Sequence, residues 1–239
     1  MLKTILYFVY FIFPWLFTPL ALSPLFILKL LKLQKPAEHY LRFITSRFSR
    51  HLIWMAGGRV TVLGTENLPS RRDICFISNH QSYADIPLIV GYLPVLTGFV
   101  AKKELYKEPI LGLWMKNLGC VKLDRGKARA AIQAVREGVE KITSGHPLVI
   151  FPEGTRSRSK TAGLFKPGSI KLATRAKAVI VPLTLNGTSK LFEEMGRIQS
   201  SKITLIIHPP VETDKLSEEE LAELPDRLYK VITEPLERL

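Results

Sequence analysis

Cysteine is nearly absent from this sequence. Cys75 and Cys120 are its two copies, and they match neither a disulfide framework nor a zinc-ligand spacing. Both lie in apolar, strand-like runs that suit buried, reduced thiols. Histidine is also sparse: five residues, scattered along the chain, form no cluster that would hold a metal. There is no Gly-x-Ser-x-Gly elbow and neither cysteine has an electropositive setting, so no protein nucleophile stands out. Internal repeats and low-complexity tracts are missing, and 46% hydrophobic with 23% charged residues excludes a disordered chain. Acidic residues are few, 21 against 34 Lys and Arg, which leaves a net charge of +13. Such a balance attracts an anionic partner: nucleic acid, an anionic membrane surface or a phosphorylated substrate.

Charge is missing altogether from Thr4 to Leu28, 25 residues rich in Leu, Ile, Phe, Tyr and Trp. As a straight helix this run would reach roughly 37 Å, beyond a hydrocarbon core of about 30 Å. It is too long for a removable signal peptide, and no small-residue cleavage pattern follows. Pro14, Pro19 and Pro24 interrupt it, so it reads either as a kinked span or as a helical hairpin dipping into one leaflet. Lys29, Lys32, Lys35, Arg42, Arg47 and Arg50 follow it, against Lys3 before it, which places the remaining chain on the cytoplasmic side of the cell membrane. Ala37–Ala56 alternates basic and apolar residues. It fits a basic amphipathic helix on a membrane surface, or an ordinary surface helix of the domain. The expected organisation is an apolar membrane segment at 1–35, a connecting helix at 36–58 and one domain at 59–239.

Beyond Gly58, strand-like runs at 60–63, 74–78, 98–101, 120–123, 148–151, 179–185 and 203–207 alternate with helical patterns at 127–142 and 168–178. Pro167 stands near the start of the second of these helices. Ser217 with Glu220 forms a capping box for a C-terminal helix. Strands interleaved with helices predict an α/β domain with a central, largely parallel sheet.

Two clusters carry chemistry, each directly after an apolar strand, where α/β sheets gather ligands. In Ser78-Asn79-His80-Gln81-Ser82-Tyr83-Ala84-Asp85 a helix begins near Asp85. A turn there would let Asp85 accept a hydrogen bond from one imidazole nitrogen of His80 and leave the other facing a substrate hydroxyl. A His and an Asp five residues apart occur often by chance. Without a protein nucleophile, the pair points to direct activation of a substrate hydroxyl. In Phe151-Pro152-Glu153-Gly154-Thr155-Arg156, Gly154 permits a tight turn, and Arg156 offers a planar fork suited to phosphate, with Lys160 and Lys166 beyond. The bland alternative is a basic surface loop.

Taken together, these clusters resemble the lysophosphatidic acid acyltransferases of the glycerophospholipid acyltransferase superfamily. His80 with Asp85 is similar to the H-x4-D motif of that family. Lys102, Leu105, Gly112 and Arg125 match its second motif, Phe151–Arg156 its third and Val181-Pro182-Leu183 its fourth. Leu164–Gly168 fits the region after the third, and the likeness runs from about Gly64 to Pro210. It implies His80 as general base and Asp85 as its orienting partner. It implies Glu153, Gly154, Thr155 and Arg156 as acceptor-binding residues, with Arg156 on the phosphate and Lys102 and Arg125 as further phosphate candidates. The expected reaction moves an acyl group from acyl-CoA or acyl-carrier protein to the free hydroxyl of lysophosphatidic acid. No cofactor or metal is expected, and the partners are the lysophospholipid, the acyl donor and membrane lipids. Glycerol 3-phosphate, another lysophospholipid or an aminolipid is an alternative acceptor, and a lipid-binding module without turnover is a rival from another class. No nucleic-acid motif accompanies the positive charge.

Overall fold

Which residues alternate and which do not decides the layers of this protein. The computed structural model describes residues 1–124, 126, 128–166 and 168–238, with the side chains of Pro14, Trp15 and Ala128 left aside. Its helices and strands, in chain order, are α1 (Leu2–Ile12), α2 (Thr18–Leu30), α3 (Gln34–Ala56), β1 (Gly58–Leu63), β2 (Ile74–Ser78), α4 (Asp85–Tyr92), β3 (Gly98–Lys102), α5 (Pro109–Asn117), β4 (Val121–Leu123), α6 (Ala128–Thr143), β5 (Leu148–Ile150), α7 (Lys171–Arg175), β6 (Val179–Asn186), β7 (Ser201–Ile207), β8 (Val211–Glu212) and α8 (Glu218–Arg238).

Seven strands form the order β1-β7-β6-β2-β5-β3-β4, and β8 adds to β6. Every pairing is parallel except β6 with β7 and β6 with β8. The expected α/β domain with a largely parallel sheet is therefore what forms. β2 and β6 are buried at every residue, the continuous apolar pattern of strands covered on both faces. Ile74 and Phe76 of β2 point into a core shared with Leu88 and Ile89 of α4. Cys75 and Ile77 point the other way, into a core shared with Ala134 and Ile142 of α6 and Leu224, Leu228 and Ile232 of α8. Both cysteines are free and buried, and burial pushes the Cys120 thiol up to about 11. Emptying the Phe76 position would cost about 3–5 kcal/mol, from lost transfer energy plus the cavity left between sheet and helix.

Pro182 sits in the middle of this sheet, where a missing N–H should leave a rung open. The pairing explains why it does not. β7 pairs with residues 183–186 of β6 and β8 with residues 179–180, and the Pro182 carbonyl accepts from His208 N at 3.0 Å on that side. The missing N–H faces the gap between β7 and β8.

The C-terminal helix opens with the expected capping box: Ser217 N donates to Glu220 Oε2 at 2.8 Å and Glu220 N to Ser217 Oγ at 3.2 Å. Helix α7 is shorter than the 168–178 pattern predicts, and Pro167, expected near that helix start, lies outside the described residues. Two short elements escape the sequence pattern, α5 and β8. α5 is only nine residues with Gly112 inside it, too short to show a period.

The charge-free N-terminal run divides in two: α1 ends at Ile12, a 3-10 turn covers Phe13–Phe17, and α2 follows. Among the described residues, no helix is long and apolar enough to cross a membrane. The antiparallel hairpin that does form pairs α2 with α3, not the two halves of the apolar run. Leu25 packs on Ala37 and Leu41, and Tyr40 Oη donates to Ala21 O at 2.8 Å. α1 instead lies on the domain: Lys3 Nζ donates to Ala56 O at 3.1 Å, Ile198 N donates to Thr4 Oγ1 at 3.0 Å, and Tyr7 joins the main core. α3 buries Ala37, Leu41, Thr45, Ser49, Leu52, Ile53 and Ala56, a stripe of residues three or four apart. Small side chains on it let α4 approach closely, and Arg50 Nε donates to Gly91 O at 2.6 Å.

Candidate active site

Because β6, β2, β5 and β3 are consecutive in the sheet and mutually parallel, their carboxyl ends form one row. The residues that follow them are the ones singled out by the sequence. Asn79 leaves β2 and fixes the row: its Nδ2 donates to Leu185 O and its Oδ1 accepts from Leu185 N, both at 2.8 Å. His80 comes next, then the turn that starts α4 with Asp85 in its first turn.

His80 Nδ1 lies 2.7 Å from Asp85 Oδ2. Asp85 is completely buried, and four donors fill its carboxylate. Oδ2 also accepts from Gln81 N at 2.7 Å and Ser82 N at 2.9 Å, and Oδ1 accepts from Thr188 Oγ1 at 2.6 Å. An acceptor-only carboxylate assigns the proton to Nδ1, which leaves the His80 Nε2 lone pair for a substrate proton. Among the described residues Nε2 has no hydrogen-bond partner, and the His80 side chain is 17% exposed. The ring lies flat on Phe151, centroids 4.0 Å apart at 17°. Position at the start of α4 adds the favourable end of the helix dipole to the Asp85 charge.

The loop after β5 is laced onto the loop after β2. Ser157 N donates to His80 O at 2.8 Å and Arg158 N to Gln81 O at 3.1 Å. Glu153 is buried, and its carboxylate joins three stretches of chain: Oε1 accepts from His80 N at 2.6 Å and Oε2 from Gly163 N at 2.7 Å. Burial raises the Glu153 pKa, opposed by those two backbone donors. Gly154 turns at φ +71°, a left-handed conformation that favours glycine. Thr155 is exposed.

Arg156 packs its guanidinium on the Tyr83 ring, 3.3 Å from the centroid. One nitrogen, Nη1, reaches Glu193 Oε1 at 3.4 Å. Lys102 is exposed at the end of β3, one strand beyond β5, and Arg125 lies outside the described residues. The structure thus brings together His80, Asp85, Glu153, Gly154 and Arg156, with Lys102 at the flank. Thr188 and Glu193 were not read from the sequence. Thr188 follows β6 by way of Gly187, which turns at φ +85° where a Cβ would stand 2.2 Å from Lys202 O. Among the described residues no group of three or more His, Cys, Asp or Glu is placed to hold a metal.

A buried carboxylate holding an imidazole, with an arginine fork across the same turn, can deprotonate a hydroxyl on an anion-bearing molecule. The model of the family described as "Acyltransferase" matches residues 59–186, more than half of the chain. The chain belongs to the acyltransferase family. Among this family's proteins, it is 31% identical to a 1-acyl-sn-glycerol-3-phosphate acyltransferase of Cocos nucifera over 78% of this chain and 61% of that protein. Identity to the protein of that name in Borreliella burgdorferi is also 31%, over 78% of this chain and 75% of the other. The crystal structure of the 1-acyl-sn-glycerophosphate (LPA) acyltransferase PlsC from Thermotoga maritima superposes with a TM-score of 0.86 at 30% identity, covering 99% of this chain and 94% of that one. The chain spans about three fifths of the Cocos relative and under half of two chloroplastic relatives. The family match ends at the last residue of β6, so it stops short of Thr188 and Glu193.

Proposed function

We propose that this chain transfers an acyl group from a thioester donor, acyl-CoA or acyl-carrier protein, to the free hydroxyl of lysophosphatidic acid. The observation that carries the reading is the fully paired Asp85 behind His80, with Nε2 left open and the Arg156 guanidinium resting on Tyr83 of the same turn. His80 Nε2 takes the hydroxyl proton as the oxygen attacks the thioester carbonyl. Asp85 stabilises the imidazolium, and the tetrahedral intermediate collapses with loss of the thiolate. The imidazolium returns its proton to that thiolate, so the products are phosphatidic acid and a free thiol. A positioned base supplies roughly 10²- to 10⁴-fold, and holding donor and acceptor together supplies much of the remainder. Arg156 binds the acceptor phosphate, and Lys102 and Arg125 are further candidates for it. Glu153 shapes the loop that presents Arg156, since both its oxygens are already engaged with backbone amides.

The apolar surface of α1, the 3-10 turn and α2 meets a lipid surface. Leu16 is 72% exposed, Leu20 71% and Phe26 69%, a burden of apolar surface that soluble domains avoid. The segment lies against that surface, and Lys29, Lys32 and Lys35 beside it suit the anionic cytoplasmic face.

The test is mass spectrometry of products from purified protein offered both donors and a panel of acceptors: lysophosphatidic acid, glycerol 3-phosphate, other lysophospholipids and an aminolipid. Phosphatidic acid should dominate. Preferential acylation of an acceptor without the phosphomonoester sinks the phosphate assignment. Release of free fatty acid without any acceptor would make the chain a hydrolase.

A further inference from the structure

Glu193 is nearly buried, its side chain 5% exposed, and it lies outside every motif that the sequence offers. One carboxylate joins three parts of the site. Its Oε2 accepts from Ser82 Oγ at 2.8 Å, and its Oε1 accepts from Tyr83 N at 2.8 Å and from Arg156 Nη1 at 3.4 Å. Ser82 Oγ is itself the acceptor for Ala84 N at 2.9 Å, so the carboxylate also steadies the turn between His80 and Asp85. Tyr83 carries the Arg156 guanidinium on its ring. Glu193 therefore fixes both supports of Arg156: its counter-ion and the aromatic platform under it.

The segment that carries Glu193 packs against α1. Phe192 meets Phe8 of α1 edge to face, centroids 5.5 Å apart. Ile198 N, at the other end of the same segment, donates to Thr4 Oγ1. Tyr7, between these two, is partly buried near Glu193, and desolvation together with that negative charge pushes its phenol up to about 12. The apolar N-terminal helix thus packs over the segment that positions the anion site.

We propose that Glu193 is a positioning residue that sets the Arg156 guanidinium relative to His80, and that α1 keeps it in place. The proposal rests on the reading of Arg156 as the phosphate ligand. A carboxylate so close to the site contributes nothing attractive to a phosphate. Its effect is geometric: it removes the freedom of a long side chain whose fork must meet the phosphate in one orientation. The N-terminal segment is then part of the acceptor site as well as a surface for lipid.

Steady-state kinetics on the full chain, with acyl-CoA and a short-chain lysophosphatidic acid, separates the outcomes. Glu193→Ala should raise the acceptor KM about ten-fold, as expected for a hydrogen-bonded set that includes a charged group, while kcat falls less. Glu193→Gln keeps an oxygen for Tyr83 N and Arg156 and an amide to donate to Ser82 Oγ, so it should recover most of that loss. In an Arg156→Ala background, adding Glu193→Ala should change KM by less than about two-fold, because coupled residues are not additive. Phe8→Ala should raise KM about three-fold in the wild type and not at all in Glu193→Ala. Should Glu193→Ala fail to fold, Glu193→Asp serves, its carboxylate a methylene too short to reach all three donors.

Wild-type KM in folded Glu193→Ala or Glu193→Asp, or full additivity with Arg156→Ala, overturns the proposal. If Arg156→Ala itself leaves KM unchanged, the phosphate assignment under Proposed function falls instead.

Discussion

The two halves of the site are built to different standards. On the dyad side, Asp85 has no exposed surface and four donors, three of them on one oxygen. Beside it, Arg156 has a ring under it and one nitrogen at 3.4 Å from a carboxylate, with most of its five N–H donors uncommitted among the described residues. The proposed base is fully held by its carboxylate, whereas the proposed anion site has bonding capacity left for a ligand. Preorganisation is worth most where charge develops during reaction, and open valence where a ligand must be taken up.

The largest effect should come from breaking the finished half. His80→Ala should lower kcat on the order of 10²- to 10⁴-fold with little change in melting temperature, because three donors still hold the Asp85 carboxylate. Asp85→Asn should match it. Turned one way, the amide NH2 meets His80 Nδ1 and two backbone N–H groups; turned the other, it donates to Thr188 Oγ1, whose proton moves to Gln81 Oε1 at 3.3 Å, and either way the charge that stabilises the imidazolium is gone. Thr188→Val, which removes one donor of the four, should cost only about ten-fold in kcat. A Thr188→Val loss as large as that of Asp85→Asn would mean that the dyad has no redundancy, and the contrast between the halves would vanish.

A smaller effect of a different kind is expected on the open half. Arg156→Lys keeps the charge but loses the fork and the flat face over Tyr83, so the acceptor KM should rise about ten-fold while kcat moves little. An unchanged KM in both Arg156→Lys and Arg156→Ala would transfer the phosphate to Lys102 and Arg125.

The smallest effect sets the dyad against an imidazole that has no carboxylate. His208 Nε2 donates to Thr184 Oγ1 at 2.8 Å, since the Thr184 proton goes to Ile232 O at 2.6 Å, and burial lowers the His208 pKa. The unfolded chain gains a proton near pH 6.5 while the folded chain does not, so stability falls as pH drops through about 6.5 and levels off below the folded value. His208→Gln should lower the neutral-pH melting temperature slightly and flatten its decline between about pH 7 and pH 5.5. An identical decline in the variant would remove His208 from the acid sensitivity.

Legibility in the sequence followed locality. β2 and β6 could be read because continuous apolar runs are short-range signals, and the His80–Asp85 turn because both residues sit on one loop. The loop of Glu153–Arg156 could be placed after a strand, but that Glu153 turns inward to backbone amides depends on where β2 and β5 lie relative to each other. Thr188 and Glu193 reach the site from more than 100 residues beyond His80. Thr188 had one usable signal: it follows the strand containing Pro182, which the parallel topology puts beside β2. Glu193 had none, because a Glu-Glu pair near Lys190 reads as a solvated run. The apolar N-terminal residues gave the strongest signal and the least specific one. Hydropathy registers how much apolar surface exists, not that α1 would spend part of it on Phe192 and the core.

The reversed direction of β7 has its own consequence. A parallel neighbour would oblige the chain leaving β6 to travel back to the opposite edge before pairing. Antiparallel pairing, Leu183 with Ile207 through Asn186 with Thr204, lets residues 187–200 depart and return at the same rim. Nothing in the ladder depends on how many residues that excursion contains. Length can therefore change between the points that the site and the core hold, Thr188, Leu191, Glu193 and Ile198, while every strand keeps its register.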